Sequence, residues 1–368
     1  MLQVEVDLRQ IRDNFSRLLE KTSSRVMAVI KADAYGHGLE ELASTLVQSG
    51  SRELAVGTVA EGVSLRQSQP GAMIYSLLGP LEEQDYSDLF VHGIVPFVHT
   101  WEQLKSCQAF AAQANQRLKV ALKLETGMNR LGFRAQDIGH LLDFMDGSPG
   151  LGLEMLASHL ALADESSRAD MVYNQLRNFQ DCCTAFRDRG YSFQRSLANS
   201  AALLRYPETH LDCVRPGITL YGDNPFRGTD WENTGKGLKQ AMHVSAPVMA
   251  VYELKKGNGV SYGLSFTAPR DMRIAVVACG YADNYSRGLS NQGWMFFKGN
   301  RLPVLGRVCM QLCVVDVSHV GEVVPGDRVY VLGGKAAQGI SAREIAEWWG
   351  TITYEVFCLL GSNPRVYI

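Results

Sequence analysis

Short apolar runs alternate with amphipathic stretches of helical length over the first 219 residues. The runs have the length of buried strands, and the intervening stretches are long enough to form helices. Eight such strands separated by helices are typical of a (β/α)8 TIM-like barrel, although a doubly wound open sheet gives nearly the same alternation. The pattern therefore predicts an α/β fold. The eight predicted strands are 26–30, 54–59, 73–78, 94–98, 120–124, 153–156, 193–197 and 213–219.

Two helices are marked by residues suited to cap their N-termini. Asp7 precedes apolar residues spaced by three and four, which would lie on one face of a helix: Leu8, Ile11, Phe15 and Leu18. Near the other end of the chain, Ser341 and Glu344 have the spacing of a capping box. It precedes the apolar residues Ile345, Trp348 and Trp349. One helix is therefore expected in the C-terminal region.

The composition changes after Gly222. Residues 224–239 are rich in Gly, Asn and charged residues without an apolar period, which indicates a connector. Beyond it, strand-like runs are separated by turn-forming residues such as Lys298, Gly299 and Asn300. These runs are 244–251, 274–278, 314–317 and 329–332. We therefore predict a barrel domain at 1–235, whose first few residues could join the other domain, and a mainly β C-terminal domain at 236–368.

Composition is typical of an enzyme and excludes some other classes of protein. The 368 residues include 36 Lys and Arg against 38 Asp and Glu, giving a formal net charge of -2 without a basic block, so a nucleic-acid partner is not expected. We find neither a secretion signal at the N-terminus nor an apolar run long enough to span a membrane. The eight cysteines are scattered, and the adjacent Cys182 and Cys183 lack the spacing of a zinc or redox site. We expect mostly buried, reduced thiols in a cytoplasmic protein without a metal.

Lys31 is the strongest candidate for covalent chemistry. An apolar strand runs directly into it, and a Gly-rich turn follows. Loss of solvation at the end of a strand lowers the pKa of an amine, and the free amine is the form that attacks a carbonyl to make a Schiff base. A lysine in this position could instead extend its charged end into solvent.

The segment around Lys31 resembles the cofactor-lysine motif of the alanine racemase family, whose members use pyridoxal phosphate (PLP). The resemblance continues in order along nearly the whole chain. Matching segments are 5–8 (EVDL), 28–38 (AVIKADAYGHG), 124–132 (LETGMNRLG), 198–202 (ANSAA), 215–218 (RPGI), 260–263 (VSYG), 280–283 (GYAD) and 306–310 (GRVCM). The resemblance implies the barrel, PLP as cofactor and racemisation of alanine. It also implies a head-to-tail homodimer in which the β domain of one chain completes the active site of the other.

Racemisation requires a proton to leave one face of the α-carbon and another to arrive at the opposite face, which two opposed acid–base groups achieve most directly. The resemblance implies that the reaction passes through an external aldimine, with Lys31 serving one face and Tyr281 the other. A tyrosine needs a polarising partner to act as a base near neutral pH, and His159 is our candidate, with Arg215 nearby. Without the resemblance, Tyr281 would be interpreted as a core tyrosine and His159 as a structural histidine.

The cofactor phosphate is expected at the loops that follow the seventh and eighth barrel strands, where this fold commonly binds phosphate. Asn199 and Ser200 follow the seventh strand, and Gly217 and Ile218 end the eighth. A hydroxyl and closely approaching backbone N–H groups suit a phosphate, although each segment could be an ordinary polar turn. By resemblance, Tyr35 hydrogen-bonds the same phosphate.

Arg215 lies near the end of the eighth strand and could simply pair with a surface acid. By resemblance it faces the pyridine nitrogen of PLP, where a fixed cation would keep that nitrogen unprotonated and weaken the ring as an electron sink. That setting favours racemisation over transamination. It also opposes the nearest rival, a related PLP-dependent decarboxylase, which would favour an acid at the ring nitrogen. A noncatalytic PLP-binding protein is the second rival, but it would need neither the β domain nor Tyr281.

Three further residues take roles implied by the family. Arg130 matches the arginine that contacts the substrate carboxylate, a role that suits a bidentate guanidinium, although its turn could be purely structural. Lys123 matches a lysine that is carbamylated in several relatives, which would convert a cation into an anion able to orient Arg130. Met310 is expected beside the substrate.

The chain departs from the family pattern at several positions. Gln311 replaces a common aspartate, and Ser196 replaces the histidine that usually precedes the Ala-Asn-Ser segment, which would alter the hydrogen bonds behind Arg215. The tail is expected to lack the tyrosine that many relatives place near the phosphate, with Asn363 as the nearest replacement. A wider pocket would follow, so serine is a second expected substrate, with a broader serine or lysine racemase as an alternative.

Overall fold

A computed structural model describes residues 2–334 and 338–368. Eight parallel strands form a closed barrel in the order in which they occur along the chain. The closure excludes the doubly wound open sheet and confirms the (β/α)8 prediction. The barrel strands are β2 (Arg25–Val29), β3 (Glu53–Val56), β4 (Met73–Ser76), β5 (Ile94–Val98), β6 (Leu118–Lys123), β7 (Leu151–Ala157), β8 (Gln194–Ser196) and β9 (Cys213–Val214).

The eighth barrel strand is shorter than the predicted 213–219. It ends at Val214, and the chain then turns through Pro216 and Gly217 into a 3-10 helix at Ile218–Tyr221. Proline lacks the N–H that a longer parallel ladder would use at position 216, which favours the end of the strand here. As a result, Gly217 lies in the turn at the end of the barrel, and Ile218 begins the 3-10 helix.

Helices surround the barrel, and the capping prediction at Asp7 is confirmed. The Asp7 carboxylate accepts hydrogen bonds from the backbone N–H groups of Arg9 and Gln10, and Ile11, Phe15 and Leu18 are buried as expected. The helices of this unit are α1 (Leu8–Leu19), α2 (Lys31–Gly36), α3 (Leu39–Gln48), α4 (Val59–Ser68), α5 (Glu83–His92), α6 (Trp101–Ala114), α7 (Ile138–Asp146), α8 (Ala169–Asp188) and α9 (Ser200–Arg205).

A second, eight-stranded sheet follows the connector. Its order is β13-β16-β15-β14-β17-β10-β1-β18, and β10 also pairs with β13, so the sheet curls back on itself. It includes β1 (Gln3–Val6), which pairs antiparallel with β10 and parallel with β18. Its other strands are β10 (Met242–Leu254), β13 (Met272–Val277), β14 (Trp294–Phe297), β15 (Asn300–Leu305), β16 (Cys313–Asp316), β17 (Arg328–Leu332) and β18 (Arg365–Tyr367). A separate two-stranded sheet consists of β11 (Gly259–Val260) and β12 (Phe266–Thr267).

Two helices, rather than the single one expected, close the C-terminal region. In α10 (Ala342–Trp349) the Ser341–Glu344 capping box is formed as predicted. The second helix, α11 (Thr353–Leu360), was missed because its cap residue, Ile352, makes no side-chain capping bond. Strands β1, β14, β15 and β18 were also missed. One continuous core contains buried side chains of both the barrel and the second sheet.

All eight cysteines are free and six of them are buried, as the composition suggested. In the described ranges, no helix combines the length and apolar character needed to cross a membrane.

Candidate active site

Lys31 begins a turn with an unusual backbone. It follows strand β2 and Ile30 directly, at the C-terminal mouth of the barrel. The next four residues, Ala32 to Tyr35, all adopt left-handed backbone angles, with φ of 52° or 53°. A left-handed conformation costs about 1–2 kcal/mol for each residue that carries a Cβ. The sequence predicted only a Gly-rich turn here. The structure shows instead a strained turn of non-glycine residues with Lys31 at one end and Tyr35 at the other.

Five basic side chains converge at the barrel mouth: Lys31, Lys123, Arg130, His159 and Arg215. Partial burial and the nearby Arg130 lower the pKa of the Lys31 amine. Burial, with contributions from Arg215 and Arg130, lowers the pKa of Lys123 well below its usual range. Burial and the nearby Lys123 also lower the pKa of His159 well below its usual range. The lowered pKa of Lys31 agrees with the expectation from its position at the end of a strand.

Arg215 is 6% exposed and lies at the centre of this group. Its guanidinium donates hydrogen bonds to the Ser158 carbonyl at 2.5 Å and to Ser196 Oγ at 2.5 Å. Its Nη2 is 3.5 Å from His159 Nδ1, as expected for the proposed neighbours. Burial lowers the pKa of Arg215 to about 10. Ser196, expected behind Arg215, accepts the hydrogen bond from its guanidinium and donates its own hydroxyl proton to the Cys213 carbonyl at 2.7 Å.

A buried polar network supports Arg215 and His159, and we did not predict it from the sequence. Gln175 on α8 donates to the His159 carbonyl at 2.9 Å and accepts from the Ala161 N–H at 2.9 Å. Thr126 Oγ1 lies 2.7 Å from Ser158 Oγ, which also donates to the Leu124 carbonyl. The position of Ser158 beside His159 was a usable signal. No signal in the sequence marked Gln175, because it reaches the site from a helix that is distant along the chain.

The loops after β8 and β9 meet, as predicted for a phosphate site. Ser200 Oγ accepts a hydrogen bond from the Gly217 N–H at 2.9 Å and lies 3.1 Å from Thr219 Oγ1. Asn199 caps α9 by accepting from the Ala202 N–H, and its amide donates to the Leu160 carbonyl. Gly217 is required by space, since a Cβ at this position would lie 2.5 Å from Tyr35 Oη. Tyr35 therefore borders the group formed by Ser200, Gly217 and Thr219, which we call the cradle.

The expectation of a tail without a tyrosine near the phosphate was wrong. The ring of Tyr354, on α11, lies 5.7 Å from the ring of Tyr35. Asn363 does not replace it, because its amide is bonded to the carbonyls of Asp283 and Leu360. The error arose because α11, the helix that carries Tyr354 towards Tyr35, was not predicted. The argument for a wider pocket that accepts serine loses its basis.

Tyr281 and Met310 stand together, but apart from the basic cluster. The N–H of Tyr281 donates to the Cys309 carbonyl at 3.1 Å, and the following N–H donates to the Met310 carbonyl at 2.8 Å. Tyr281 is 43% exposed and Met310 58% exposed. Within residues 2–334 and 338–368, we find no hydrogen bond, ion pair or ring contact that joins the Tyr281 side chain to Lys31, Arg215 or their neighbours. Gln311 is exposed on the same loop.

The chemistry of the barrel mouth fits an anionic cofactor. The two carboxylates that influence Lys31 and Lys123 are Glu61 and Glu125, and both accept backbone N–H groups at the starts of turns. Among the described contacts, neither carboxylate is paired with the Arg130 or Arg215 guanidinium, so these two cations are available to an anionic cofactor or a substrate carboxylate. The cradle at Ser200 and Gly217 supplies a hydroxyl and backbone groups where the phosphate is expected. The residues present fit PLP.

Comparison with known proteins agrees with this geometry. Residues 6–225 match the family model described as alanine racemase, N-terminal domain, and residues 241–367 match that of the alanine racemase C-terminal domain. The chain is 47% identical over 366 residues to an alanine racemase of Nitratidesulfovibrio vulgaris Miyazaki F, covering 100% of this chain and 98% of the relative. It is 40% identical to an alanine racemase of Lawsonia intracellularis, covering 98% of this chain and 95% of the relative.

Solved structures give the same result for the fold. The alanine racemase of a D-cycloserine-producing Streptomyces lavendulae is similar with a TM-score of 0.93 at 30% identity, covering 100% of this chain and 97% of that one. The alanine racemase of Bartonella henselae, solved with covalently bound pyridoxal phosphate, has a TM-score of 0.89 at 28% identity, covering 100% and 99% of the two chains. Both likenesses extend over the barrel and the β domain together.

Proposed function

The chain belongs to the alanine racemase family, and on that premise we propose that it interconverts L- and D-alanine with PLP as its cofactor. One observation carries the proposal: Lys31, Arg215 and the Ser200–Gly217 cradle lie together at the mouth of the barrel. PLP, when bound, makes the α-proton of an attached amino acid more acidic by withdrawing electrons into its ring. The residues around it decide which reaction follows.

The barrel residues would hold the cofactor at three points. The amine of Lys31 would bind its aldehyde carbon, and its lowered pKa increases the fraction of free amine available at a given pH. Ser200, the Gly217 and Ile218 backbone and Tyr35 would hold the phosphate. Arg215 has no carboxylate among its described hydrogen-bond partners, and it would face the ring nitrogen. A cation there disfavours protonation of that nitrogen, which supports racemisation over decarboxylation.

Arg130 and Lys123 are proposed to bind the substrate carboxylate. Arg130 is exposed at the mouth, where its guanidinium can meet a carboxylate that enters from solvent. Lys123 is partly buried beside Arg215 and Arg130, which is an unfavourable setting for an ammonium group. Carbamylation would relieve this repulsion by giving the side chain a negative charge, and it would then hold Arg130 in place.

The second acid–base group, Tyr281, is proposed to come from another copy of the chain. Around Tyr281 and Met310, three further apolar side chains are exposed: Tyr262 at 71%, Leu264 at 63% and Leu312 at 43%. The loops that carry them are joined by Ser261, which donates to the Arg307 carbonyl and contacts Cys309 Sγ, and exposed apolar side chains on adjoining loops are typical of an interface. We infer a homodimer in which the β domain of each chain covers the barrel mouth of the other, bringing Tyr281, polarised by His159, and Met310 to the substrate. The eight free thiols are compatible with the reducing cytoplasm as its location.

The proposal is tested by polarimetry and by cofactor mapping. PLP-loaded protein should abolish the optical rotation of L-alanine, and Lys31→Ala should not. Borohydride reduction followed by peptide mass mapping should identify the pyridoxyl group on Lys31. As a control, Lys119→Ala removes a lysine that pairs with Glu154 at 3.0 Å, and it should retain both activity and labelling. A pyridoxyl group on another lysine, or stable rotation with the wild-type protein, would contradict the proposal.

A further inference from the structure

The left-handed turn after Lys31 needs external support. Ala32, Asp33, Ala34 and Tyr35 each carry a Cβ and each have positive φ, so the turn is disfavoured in isolation. A backbone of this kind persists only where surrounding contacts determine it. Since Lys31 and Tyr35 lie at its two ends, whatever holds the turn also fixes the direction of both side chains.

Arg365 makes the contacts that hold the turn from the C-terminal strand β18. Its Nη1 donates to the carboxylate of Asp33, to the Gly36 carbonyl at 3.2 Å and to the Gly361 carbonyl at 3.2 Å. The other oxygen of Asp33 accepts the Leu39 N–H at 2.8 Å, at the start of α3. One guanidinium therefore joins the turn, the end of α11 and, through Asp33, the beginning of α3.

Two additional contacts leave the turn little freedom. The carboxylate of Glu61 accepts the Asp33 N–H at 3.2 Å, in addition to the Gly57 N–H at 2.7 Å. Gly36 lies so close to α11 that a Cβ would come within 2.5 Å of the Phe357 carbonyl oxygen. The turn is thus fixed by the barrel on one side and by the C-terminal segment on the other. Arg365 is the charged group that links the two sides.

We propose that Arg365 is a positioning residue of the cofactor site, acting through Asp33 and the Gly36 carbonyl to hold the turn that directs Lys31 and Tyr35. The inference rests on the proposed function, since it concerns how the PLP site is built. It implies that β18, which belongs to the second sheet, is required for cofactor affinity as well as for folding.

The alternative is that the ion pair between Arg365 and Asp33 only stabilises the fold. The chain offers a matched control for this alternative. Arg195 binds Asp212 through two hydrogen bonds, at 2.8 and 2.9 Å, near the starts of β8 and β9 and therefore at the opposite end of the barrel. The side chains of Arg195 and Asp212 are 24% and 37% exposed, and those of Arg365 and Asp33 are 24% and 47% exposed. Removing either arginine removes an ion pair of similar exposure.

The test uses the full-length protein and four variants: Arg365→Gln, Arg365→Lys, Asp33→Asn and Arg195→Gln. PLP affinity is measured by titrating resolved protein and following the absorbance of bound cofactor. Hydrogen exchange of residues 31–38 is measured without PLP. We expect Arg365→Gln to weaken PLP binding about tenfold, the loss expected for a charge-assisted hydrogen bond, and to speed exchange in this segment. Arg365→Lys should recover part of both effects.

The control and the double variant separate positioning from stability. Arg195→Gln should lower the thermal midpoint about as much as Arg365→Gln while leaving PLP affinity and exchange of 31–38 unchanged. Asp33→Asn added to Arg365→Gln should cause little further loss, because both act through one contact. If hydrogen exchange of residues 31–38 is unchanged in Arg365→Gln, the inference is wrong, whether or not the protein binds PLP. A wild-type protein that takes up no PLP would overturn the proposed function instead.

Discussion

His37 illustrates how tightly the segment after Lys31 is packed at the level of single residues. Its side chain is fully buried, its ring centroid is 4.5 Å from that of Tyr221, and its Nδ1 lies 3.0 Å from the Tyr35 carbonyl. Because the carbonyl can only accept, Nδ1 carries the proton. In the described part of the chain, Nε2 has no hydrogen-bond partner. A buried imidazole of this kind is stable only when neutral, so acid should loosen this segment.

We therefore predict that His37 makes the protein sensitive to acid. Burial lowers the pKa of His37 from 6.5 to about 3, so between these values the unfolded chain binds a proton that the folded chain does not. Its contribution to stability is complete above pH 6.5 and is lost as the pH falls, by about 1.4 kcal/mol for each pH unit. Denaturant unfolding at several pH values should show a shallower acid slope for His37→Asn. His140→Asn, on the exposed side of α7, is the control, and equal slopes in wild type and His37→Asn would contradict the prediction.

At the level of elements, the proposed phosphate-binding residues follow the strands rather than lie within them. The strands β8 and β9 have only three and two residues, and the loops after them supply Ser200, Gly217 and Thr219. These loops lie close together because the C-terminal ends of parallel barrel strands share one rim. Pro216 ends β9 early enough for Gly217 to approach Tyr35. A small change in one loop should therefore affect the phosphate and little else.

Gly217→Ala should weaken PLP binding by roughly tenfold. The added methyl group would lie 2.5 Å from Tyr35 Oη, and Tyr35 cannot retreat freely because its ring is 4.7 Å from Tyr221. Overpacking of this kind costs about 1–3 kcal/mol, and about 1.4 kcal/mol corresponds to a factor of ten in affinity. Gly139→Ala is the matched control, because a Cβ at Gly139 meets nothing within 4 Å. Fluorescence titration with PLP checks the result, and equal affinities for both variants would refute it.

On the scale of the whole molecule, the two proposed acid–base groups lie in different domains of the chain. Lys31 lies at the barrel mouth, whereas Tyr281 lies on the exposed face of the β domain. Two-base racemisation needs both groups at one α-carbon, on opposite faces. A symmetric dimer supplies them twice, because each β domain can serve the opposite barrel.

Complementation between two inactive variants tests this arrangement. Lys31→Ala and Tyr281→Phe homodimers should each be nearly inactive in racemisation. In a heterodimer of the two, one site carries both substitutions and the other carries neither. If the sites act independently, purified heterodimer should recover up to about half of the wild-type activity. An inactive heterodimer of confirmed composition and full PLP content would show that both residues act from the same chain.

Local signals in the sequence predicted the barrel strands and two helix starts, whereas the choice of a closed barrel over a doubly wound sheet rested on the family resemblance. Apolar runs predicted all eight barrel strands, and short caps such as Asp7 and the Ser341–Glu344 box predicted helix starts, because these depend on residues only a few positions apart. The motifs also placed Lys31, Arg215 and Ser200 after strand ends, where the structure has them, and their roles stay predictions. Local sequence alone therefore determines which of these side chains reach the C-terminal rim.

Only the tertiary structure decided how those residues are held. Nothing local predicts four left-handed residues after Lys31, since their own sterics oppose that conformation, and the contact that offsets the strain joins Asp33 to Arg365, 332 residues away. Tyr354 was overlooked for the same reason, because its role depends on α11 packing against the barrel. Strands β1 and β18, from opposite ends of the chain, pair in one sheet. Contacts between distant segments select backbone conformations that neighbouring residues alone would not adopt, and periodicity carries no record of them.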